Sequence, residues 1–232
     1  MLGWINDCIE KLVLEKFDVK AWHLIKEKAN CQVKDGNFLK LDHYPDKSTY
    51  DLVKAASAVS GLSFDDVLYE FGKFFVPYII DEGYENLLCC QGSTLKDWMR
   101  NINAIHGHLQ NTFPKKMIMP EFWCQDNDDG SILLFYYSKR GSLLSPLAVG
   151  LVTEVAKRQF DLNICMNKLT TQGEDGSMFT WYVMRDCCRC CSYAYLKSRL
   201  TYTLLLSLPL SRSPFHSSHL VVQLACNDRR SE

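Results

Sequence analysis

Residues 93–113 have the sequence STLKDWMRNINAIHGHLQNTF, and this stretch decides how the first half of the chain folds. Its apolar residues recur at intervals of three and four, the spacing that puts side chains on one face of an α-helix. These residues are Leu95, Trp98, Met99, Ile102, Ile105 and Leu109. His106 shares their face, whereas His108 points elsewhere. The pattern therefore predicts a helix that buries one apolar face together with one histidine.

Further helical patterns precede this stretch. Apolar residues at helical spacing predict helices over residues 4–17, 48–60 and 63–80. Ser48 or Thr49 is the expected N-terminal cap of the second of these, because a side-chain hydroxyl accepts a hydrogen bond from a free amide of the first turn. The first half of the chain is thus predicted to be entirely helical.

The pattern changes after residue 120. Alternating and aromatic-rich segments predict four strands, with one helix between the second and the third. The strands are 121–126, 131–138, 162–169 and 177–184, and the helix is 144–160. The sequence predicts an α+β domain in which a helical N-terminal half packs on a C-terminal antiparallel sheet with an inserted helix. The turn DNDDG, at 126–130, lacks the downstream Glu of a calcium loop and predicts a hairpin turn.

The composition changes again near Arg185. Residues 186–232 are rich in Cys, Leu, Ser and Pro and show no amphipathic helix. We therefore divide the chain into a domain over 1–185 and a tail over 186–232 that we expect to be irregular or disordered. The cysteines at 187, 188, 190 and 191 lack the longer loop that separates the ligand pairs of a zinc site, so we do not predict zinc there.

Charge and hydrophobicity exclude two classes of partner. The formal net charge of -1 argues against nucleic-acid binding, which needs a basic patch. No apolar stretch approaches the roughly 20 residues that span a membrane. The N-terminus has no secretory signal pattern, and the 11 cysteines are clustered rather than spaced like a disulfide framework. We expect a reduced, cytoplasmic protein without a membrane span.

Two groups of residues could carry chemistry, and each has two interpretations. A histidine on an apolar helix face is usually a core residue, but a neutral imidazole in an apolar pocket is also a common axial ligand of haem iron. On the second predicted strand, Tyr136, Ser138 and Arg140 alternate and share one face. They suit a planar dianion, because Arg binds carboxylates bidentately, or they form the solvent face of an edge strand. Spacing alone leaves both choices open.

Considered together, the histidine and the Tyr-x-Ser-x-Arg pattern resemble the haem–nitric oxide/oxygen-binding (H-NOX) family. The resemblance covers residues 1–184 and is closest to the N-terminal domain of a beta-type subunit of animal soluble guanylate cyclase. The segments that carry it are MLGWINDCIEKLVLEKF (1–17), EFGKFFVPYIIDEGYENLL (70–88), NINAIHGHL (101–109), FPKKMIMPEFWC (113–124) and LFYYSKRG (134–141).

The resemblance implies a cofactor and its ligands. The cofactor is haem b with ferrous iron, and His106 is its proximal ligand. Tyr136, Ser138 and Arg140 match the family motif that binds the two haem propionates, and Pro120 resembles the proline that contacts and bends the porphyrin. Cys124 matches a cysteine near the pocket, and we interpret it as a small buried apolar residue rather than a redox group.

The resemblance also implies which gas is bound. Alignment on Gly72 and Gly150 places Ile9, Phe75 and Leu147 at the positions that face the gas, and all three are apolar. Family members that hold oxygen resemble one another in a distal tyrosine that hydrogen-bonds it, whereas nitric oxide needs little such help. The resemblance therefore implies a nitric oxide sensor, in which binding weakens or breaks the bond between iron and its histidine.

Three functions follow as alternatives. The leading one is a haem-based sensor of nitric oxide, resembling the regulatory domain of soluble guanylate cyclase in cGMP signalling. The second is a truncated cyclase subunit that acts only with a catalytic partner, such as a guanylate cyclase alpha-type subunit. The third is an interaction module that keeps the fold without haem. The 47 residues after Arg185 are too few for a cyclase domain, so we expect this chain to sense rather than synthesise, and its status as an enzyme stays open.

Overall fold

Helices dominate the first 112 residues, as the apolar spacing predicts. The structure, a computed structural model, describes residues 1–112, 118–128, 130–172 and 178–185. The helices are α1 (Gly3–Lys16), α2 (Val19–Lys28), α3 (Asp46–Ser60), α4 (Phe64–Ile79), α5 (Glu85–Cys89) and α6 (Leu95–Thr112). A π-helical turn over Ile80–Tyr84 joins α4 to α5, and Gly83 supplies its left-handed backbone conformation, with φ of 89°.

The second half forms an antiparallel sheet with one inserted helix. Its elements are β1 (Glu121–Asp126), β2 (Ile132–Tyr137), α7 (Ser145–Phe160), β3 (Ile164–Gln172) and β4 (Met178–Arg185). The strand order is β1-β2-β4-β3, and every neighbouring pair is antiparallel. The α+β fold predicted from the sequence is therefore confirmed. Because β2 lies between β1 and β4, it is an interior strand and not the edge strand considered above.

Two details of the helical half differ from the predictions. The helix α2 was not predicted, because it buries only Trp22 and Ile25 and so shows little apolar periodicity. Capping of α3 by Ser48 or Thr49 is wrong, since the helix begins at Asp46 after Pro45. Thr49 is buried and its hydroxyl donates to Asn6 Oδ1 over 2.8 Å, so a core contact takes the group that was expected to cap.

The helices α4 and α7 meet at two glycines, which explains their close crossing. A Cβ added to Gly72 would lie 2.1 Å from the carbonyl oxygen of Leu147, and one added to Gly150 would lie 2.1 Å from that of Tyr69. Each glycine therefore accommodates the backbone of the opposite helix. This contact fixes the angle at which α7 returns across the helical half.

The inner face of the sheet completes the core. Its buried side chains are Phe122, Ile132, Leu134, Tyr136, Met166, Trp181 and Val183. Along β1 and β2 they alternate with more exposed residues, as a sheet with one face against helices requires. The helix α6 contacts β1, and α7 contacts β3. The C-terminal end of α6 lies beside the start of β1, where His106 meets Pro120.

The cysteines and the tail complete the comparison with the sequence. Among the described residues, the free cysteines are Cys8, Cys31, Cys89, Cys90 and Cys124. Cys165 in β3 is disulfide-bonded, which differs from the expectation of a fully reduced chain. Residues 186–232, with the cysteine cluster, lie outside the described residues, so the predicted tail stays a prediction. A search of the described helices for one long and apolar enough to cross a membrane found none.

Candidate haem site

His106 lies near the C-terminal end of α6 and contacts the segment that leads into β1. Its Nδ1 is 2.8 Å from the carbonyl oxygen of Pro120. A carbonyl oxygen only accepts hydrogen bonds, so Nδ1 carries the proton and the lone pair of the neutral ring is on Nε2. Metal-ligating histidines usually have this arrangement, in which the second nitrogen donates to a carbonyl and fixes the ring orientation.

The surroundings of His106 keep its ring uncharged. Burial lowers the pKa of His106 below its ordinary value, and the hydrogen bond to Pro120 offsets part of that effect. The imidazole is therefore neutral at neutral pH, which is the form that binds iron. Both properties suit an iron ligand, and they are equally those of a core histidine whose hydrogen bond is satisfied.

Aromatic rings connect His106 with the sheet. The centroid of the His106 ring is 5.7 Å from that of Phe122, which lies 5.2 Å from that of Tyr136. The ring of Tyr136 in turn meets that of Trp181 edge to face at 5.6 Å. The predicted ligand and the first residue of the predicted propionate motif thus contact the same phenylalanine.

The two hydroxyls of the motif at the end of β2 are buried and Arg140 is half-buried, so these groups do not form a solvent face. Tyr136 and Ser138 are buried, and Ser138 Oγ accepts from the backbone N–H of Arg140 at 3.1 Å. Burial raises the pKa of Tyr136, and its phenol stays protonated at neutral pH. The strand ends at Tyr137, so of the three residues only Tyr136 lies on β2. Ser138 and Arg140 lie in the turn that follows, which the hydrogen bond from the Gly141 N–H to the Ser138 carbonyl closes, and the prediction that all three share one strand face is wrong.

Arg140 already holds a carboxylate in this structure. Its Nε donates to Asp46 Oδ2 at 2.6 Å, and its Nη1 donates to the carbonyl of Ile118. Burial of Asp46 opposes its ionisation, but hydrogen bonds from Arg140 and from the N-terminal ammonium of Met1 lower its pKa overall. Asp46 was not predicted from the sequence as a partner of this site, because 94 residues separate it from Arg140. The contact shows that this guanidinium is placed to bind a carboxylate.

The three apolar residues predicted to face the gas lie on three different helices, α1, α4 and α7. Ile9 is buried in the core on α1, and Phe75 and Leu147 are half-buried and pack against that core. The backbone of Leu147 contacts Gly72, which is about one helical turn before Phe75. The structure therefore places Phe75 and Leu147 on the two helices that cross at the glycines.

Cys124 is half-buried at β1. Burial raises the pKa of its thiol to about 11, so the thiolate form that reacts in redox chemistry is scarce at neutral pH. This agrees with the interpretation of Cys124 as a small apolar residue. Within the described ranges, no three His, Cys, Asp or Glu side chains are grouped so that they could hold a metal ion together.

The donor set fits a haem. A half-buried neutral imidazole with its lone pair on Nε2, packed beside the ring of Phe122, suits an axial ligand. Arg140, in the turn after β2 and close in sequence to the two buried hydroxyls, suits the binding of carboxylates. These are the two chemical ends of a porphyrin that bears propionates.

Comparison with known proteins agrees with this geometry. The family model described as Haem-NO-binding matches residues 2–168. Soluble guanylate cyclase gcy-37 of Caenorhabditis elegans is 31% identical over 169 residues, which are 72% of this chain and 24% of that protein. The beta-2 subunit of soluble guanylate cyclase of Rattus norvegicus is 32% identical over 108 residues, or 47% of this chain and 16% of that one. The chain spans about a quarter of the length of the first of these relatives.

Solved structures share the fold. An H-NOX protein from S. oneidensis in the Fe(II)NO ligation state superposes with a TM-score of 0.68 at 18% identity, over 81% of this chain and all of that one, 100%. The Fe(II) unliganded H-NOX protein from K. algicida gives a TM-score of 0.66 at 19% identity, over 82% and 98% of the two chains. The match of the family model to most of the domain decides the assignment. This chain belongs to the Haem-NO-binding (H-NOX) family.

Proposed function

We propose that this domain binds haem b in the ferrous state through His106 and senses nitric oxide. The observation that carries the proposal is the hydrogen bond from His106 Nδ1 to the carbonyl of Pro120. It fixes the tautomer and leaves the lone pair of this half-buried ring on Nε2, the nitrogen that would ligate the iron. Bound ferrous haem would supply an iron that coordinates the gas.

Residues at the end of β2 and in the turn that follows it would hold the propionate end of the porphyrin. Arg140 would exchange its contact with Asp46 for a propionate, or share its fork of donors between the two carboxylates. Ser138 and the protonated phenol of Tyr136 would add directional hydrogen bonds. Pro120 would press on the porphyrin from the same segment that accepts the hydrogen bond of His106.

Selectivity for nitric oxide would come from the apolar distal side. Ile9, Phe75 and Leu147 offer no hydrogen-bond donor to a bound gas. The iron–oxygen unit is polar and needs such a donor, whereas nitric oxide needs little help. Because His106 belongs to α6, that helix would carry any change at its iron-binding nitrogen to the rest of the domain, a local event able to bias a two-state element.

The absorption spectrum of the purified ferrous protein tests this function. We expect a haem band that stays unchanged in air and shifts when nitric oxide is added. A stable spectrum of an oxygen complex would contradict the selectivity but not the cofactor. A protein that stays colourless after reconstitution with haem would overturn the proposal and favour an interaction module that keeps only the fold.

A second role concerns the partner of this domain. The curated relatives are soluble guanylate cyclases, and this chain corresponds to about a quarter of their length. We propose that the domain acts on a guanylate cyclase in the cytoplasm, either within a longer subunit or beside an alpha-type subunit. Co-expression with an alpha-type subunit and size-exclusion chromatography test the second case. Separate elution of the two chains would contradict it.

A further inference from the structure

Asn103 forms two hydrogen bonds to one residue of β1. Its Nδ2 donates to the carbonyl of Phe122 at 2.6 Å, and its Oδ1 accepts from the amide of Phe122 at 2.9 Å. The side-chain amide thus replaces the backbone of a neighbouring strand. In an antiparallel strand the N–H and C=O of one residue point to the same side. Asn103 therefore closes the free edge of β1, on the side away from β2.

The contact lies one helical turn from His106. Residues three apart on a helix are neighbours on its surface, so Asn103 and His106 both meet the chain at the beginning of β1. His106 donates to the carbonyl of Pro120, and Asn103 binds the backbone of Phe122 two residues later. Three hydrogen bonds therefore join α6 to the segment from Pro120 to Phe122. They link the position of the Pro120 carbonyl to that of the helix.

We infer that Asn103 is a positioning residue for the iron ligand: it holds β1 against α6 so that Pro120 sets the orientation and basicity of the His106 ring. This inference rests on the proposed function. A movement of α6 along β1 must break both bonds of Asn103, so the residue also resists the displacement that would follow loss of the iron–histidine bond. Asn103 itself touches neither the gas nor the iron in this role.

Asn101 provides a matched control on the same helix. Its Nδ2 donates to the carbonyl of Gln91 at 2.6 Å, so it too ties α6 to a neighbouring segment. Gln91 belongs to the segment that precedes α6. This is not the segment that carries Pro120, the hydrogen-bond partner of His106. Asn101→Ala removes a comparable hydrogen bond and should lower stability. Only Asn103→Ala should also change the orientation and basicity of the His106 ring.

The test compares wild type, Asn103→Ala, Asn103→Asp and Asn101→Ala as haem-loaded proteins. We measure the iron–histidine stretching band of the ferrous protein by resonance Raman spectroscopy and the rate of haem transfer to apomyoglobin. Asn103→Ala should shift or broaden the band and speed haem loss about tenfold, the lower limit for loss of a partner that orients a metal ligand. Asn103→Asp keeps only the acceptor and should fall between Asn103→Ala and wild type. Asn101→Ala should match wild type in both measurements.

Equal effects of Asn103→Ala and Asn101→Ala, or a band that is unchanged in Asn103→Ala, would overturn the inference. A wild-type protein that takes up no haem would instead overturn the proposed function. In that case the positioning role of Asn103 is tested on the haem-free protein, by measuring the 15N chemical shifts of the His106 ring. A change in Asn103→Ala that is missing in Asn101→Ala supports the positioning role, and no change in either rejects it.

Discussion

The hydroxyl of Tyr78 on α4 donates a hydrogen bond to Oδ2 of Asp7 on α1, with 2.7 Å between the two oxygens. Both side chains are buried, and the ammonium groups of Lys11 and Lys40 lie 3.5 and 4.0 Å from the same carboxylate oxygen. Burial, together with this hydrogen bond, raises the pKa of Tyr78. The ring centroid of Phe75 is 6.0 Å from that of Tyr78, so a tyrosine near the proposed gas site has its hydroxyl committed to Asp7.

The Asp7–Tyr78 pair should contribute measurably to stability. Tyr78→Phe is expected to lower the free energy of unfolding by about 1–3 kcal/mol, because a buried carboxylate oxygen loses a donor. Asp7→Ala should cost a similar amount, since it leaves a phenol hydroxyl buried without its acceptor. Urea unfolding of both single variants and the double variant gives the coupling energy. Costs that simply add in the double variant would show that the two side chains do not stabilise each other.

Two glycine-to-alanine substitutions should change stability in opposite directions, because only one of the two glycines lies at the crossing of α4 and α7. Gly150→Ala puts a Cβ where the carbonyl of Tyr69 lies 2.1 Å away, so backbone must shift. We expect a loss of about 1–3 kcal/mol, typical of overpacking, and a lower melting temperature. Gly107→Ala is the control, because nothing lies within 4 Å of its Cβ and it is inside α6. It should gain about 0.5–1 kcal/mol. Equal melting temperatures for the two variants would contradict the close crossing.

Substitution of the ligand should be reversible by a small molecule. His106→Ala removes the axial donor but leaves the apolar surroundings, so the purified variant should lack the haem spectrum of wild type. Added imidazole should restore it by occupying the vacated space. His108→Ala is the control, because His108 is exposed on the same helix. An identical spectrum for His106→Ala and wild type would exclude His106 as the ligand.

The lowered pKa of His106 predicts how stability depends on pH in the haem-free protein. The unfolded chain binds a proton at His106 near pH 6.5, whereas the folded protein does so only at a lower pH. Between these two values the unfolded state binds more protons, so the free energy of unfolding falls as the pH falls. Below the folded pKa this contribution levels off.

Chemical unfolding between pH 7.5 and 5 measures that slope. His106→Ala should show a smaller slope than His108→Ala over this range, whatever its absolute stability. Glu82 also makes the free energy of unfolding depend on pH. Its contribution lies at lower pH and can be separated from that of His106. Hydrogen bonds from Lys40 and Lys11 lower the pKa of Glu82, so its stabilising effect is lost only as the pH falls below the ordinary range of a Glu. Identical slopes for the two histidine variants would contradict the lowered pKa of His106 in the folded protein.

The sequence predicted the elements whose pattern is strong. The spacing around His106 predicts α6, and the alternation through Tyr136 predicts β2 with its inward face. Ser63 caps α4 in the way that a serine before an apolar helical pattern favours, since its hydroxyl accepts from the amide of Asp66. The prediction failed where local chemistry competes with distant contacts. Thr49 turns its hydroxyl to Asn6 instead of capping α3, and no local pattern announces that partner.

The sequence by itself determined the order and type of most elements, the residues that face the core and the two motifs that carry the family resemblance. These depend on periodicity and on residue type, which are local properties of a chain. Only the tertiary structure decided the partners: Pro120 for His106, Asp46 for Arg140, Asp7 for Tyr78 and Phe122 for Asn103. Each of these contacts joins groups 14 to 94 residues apart, and a hydrogen bond across such a separation exists only once packing has brought its two atoms within reach.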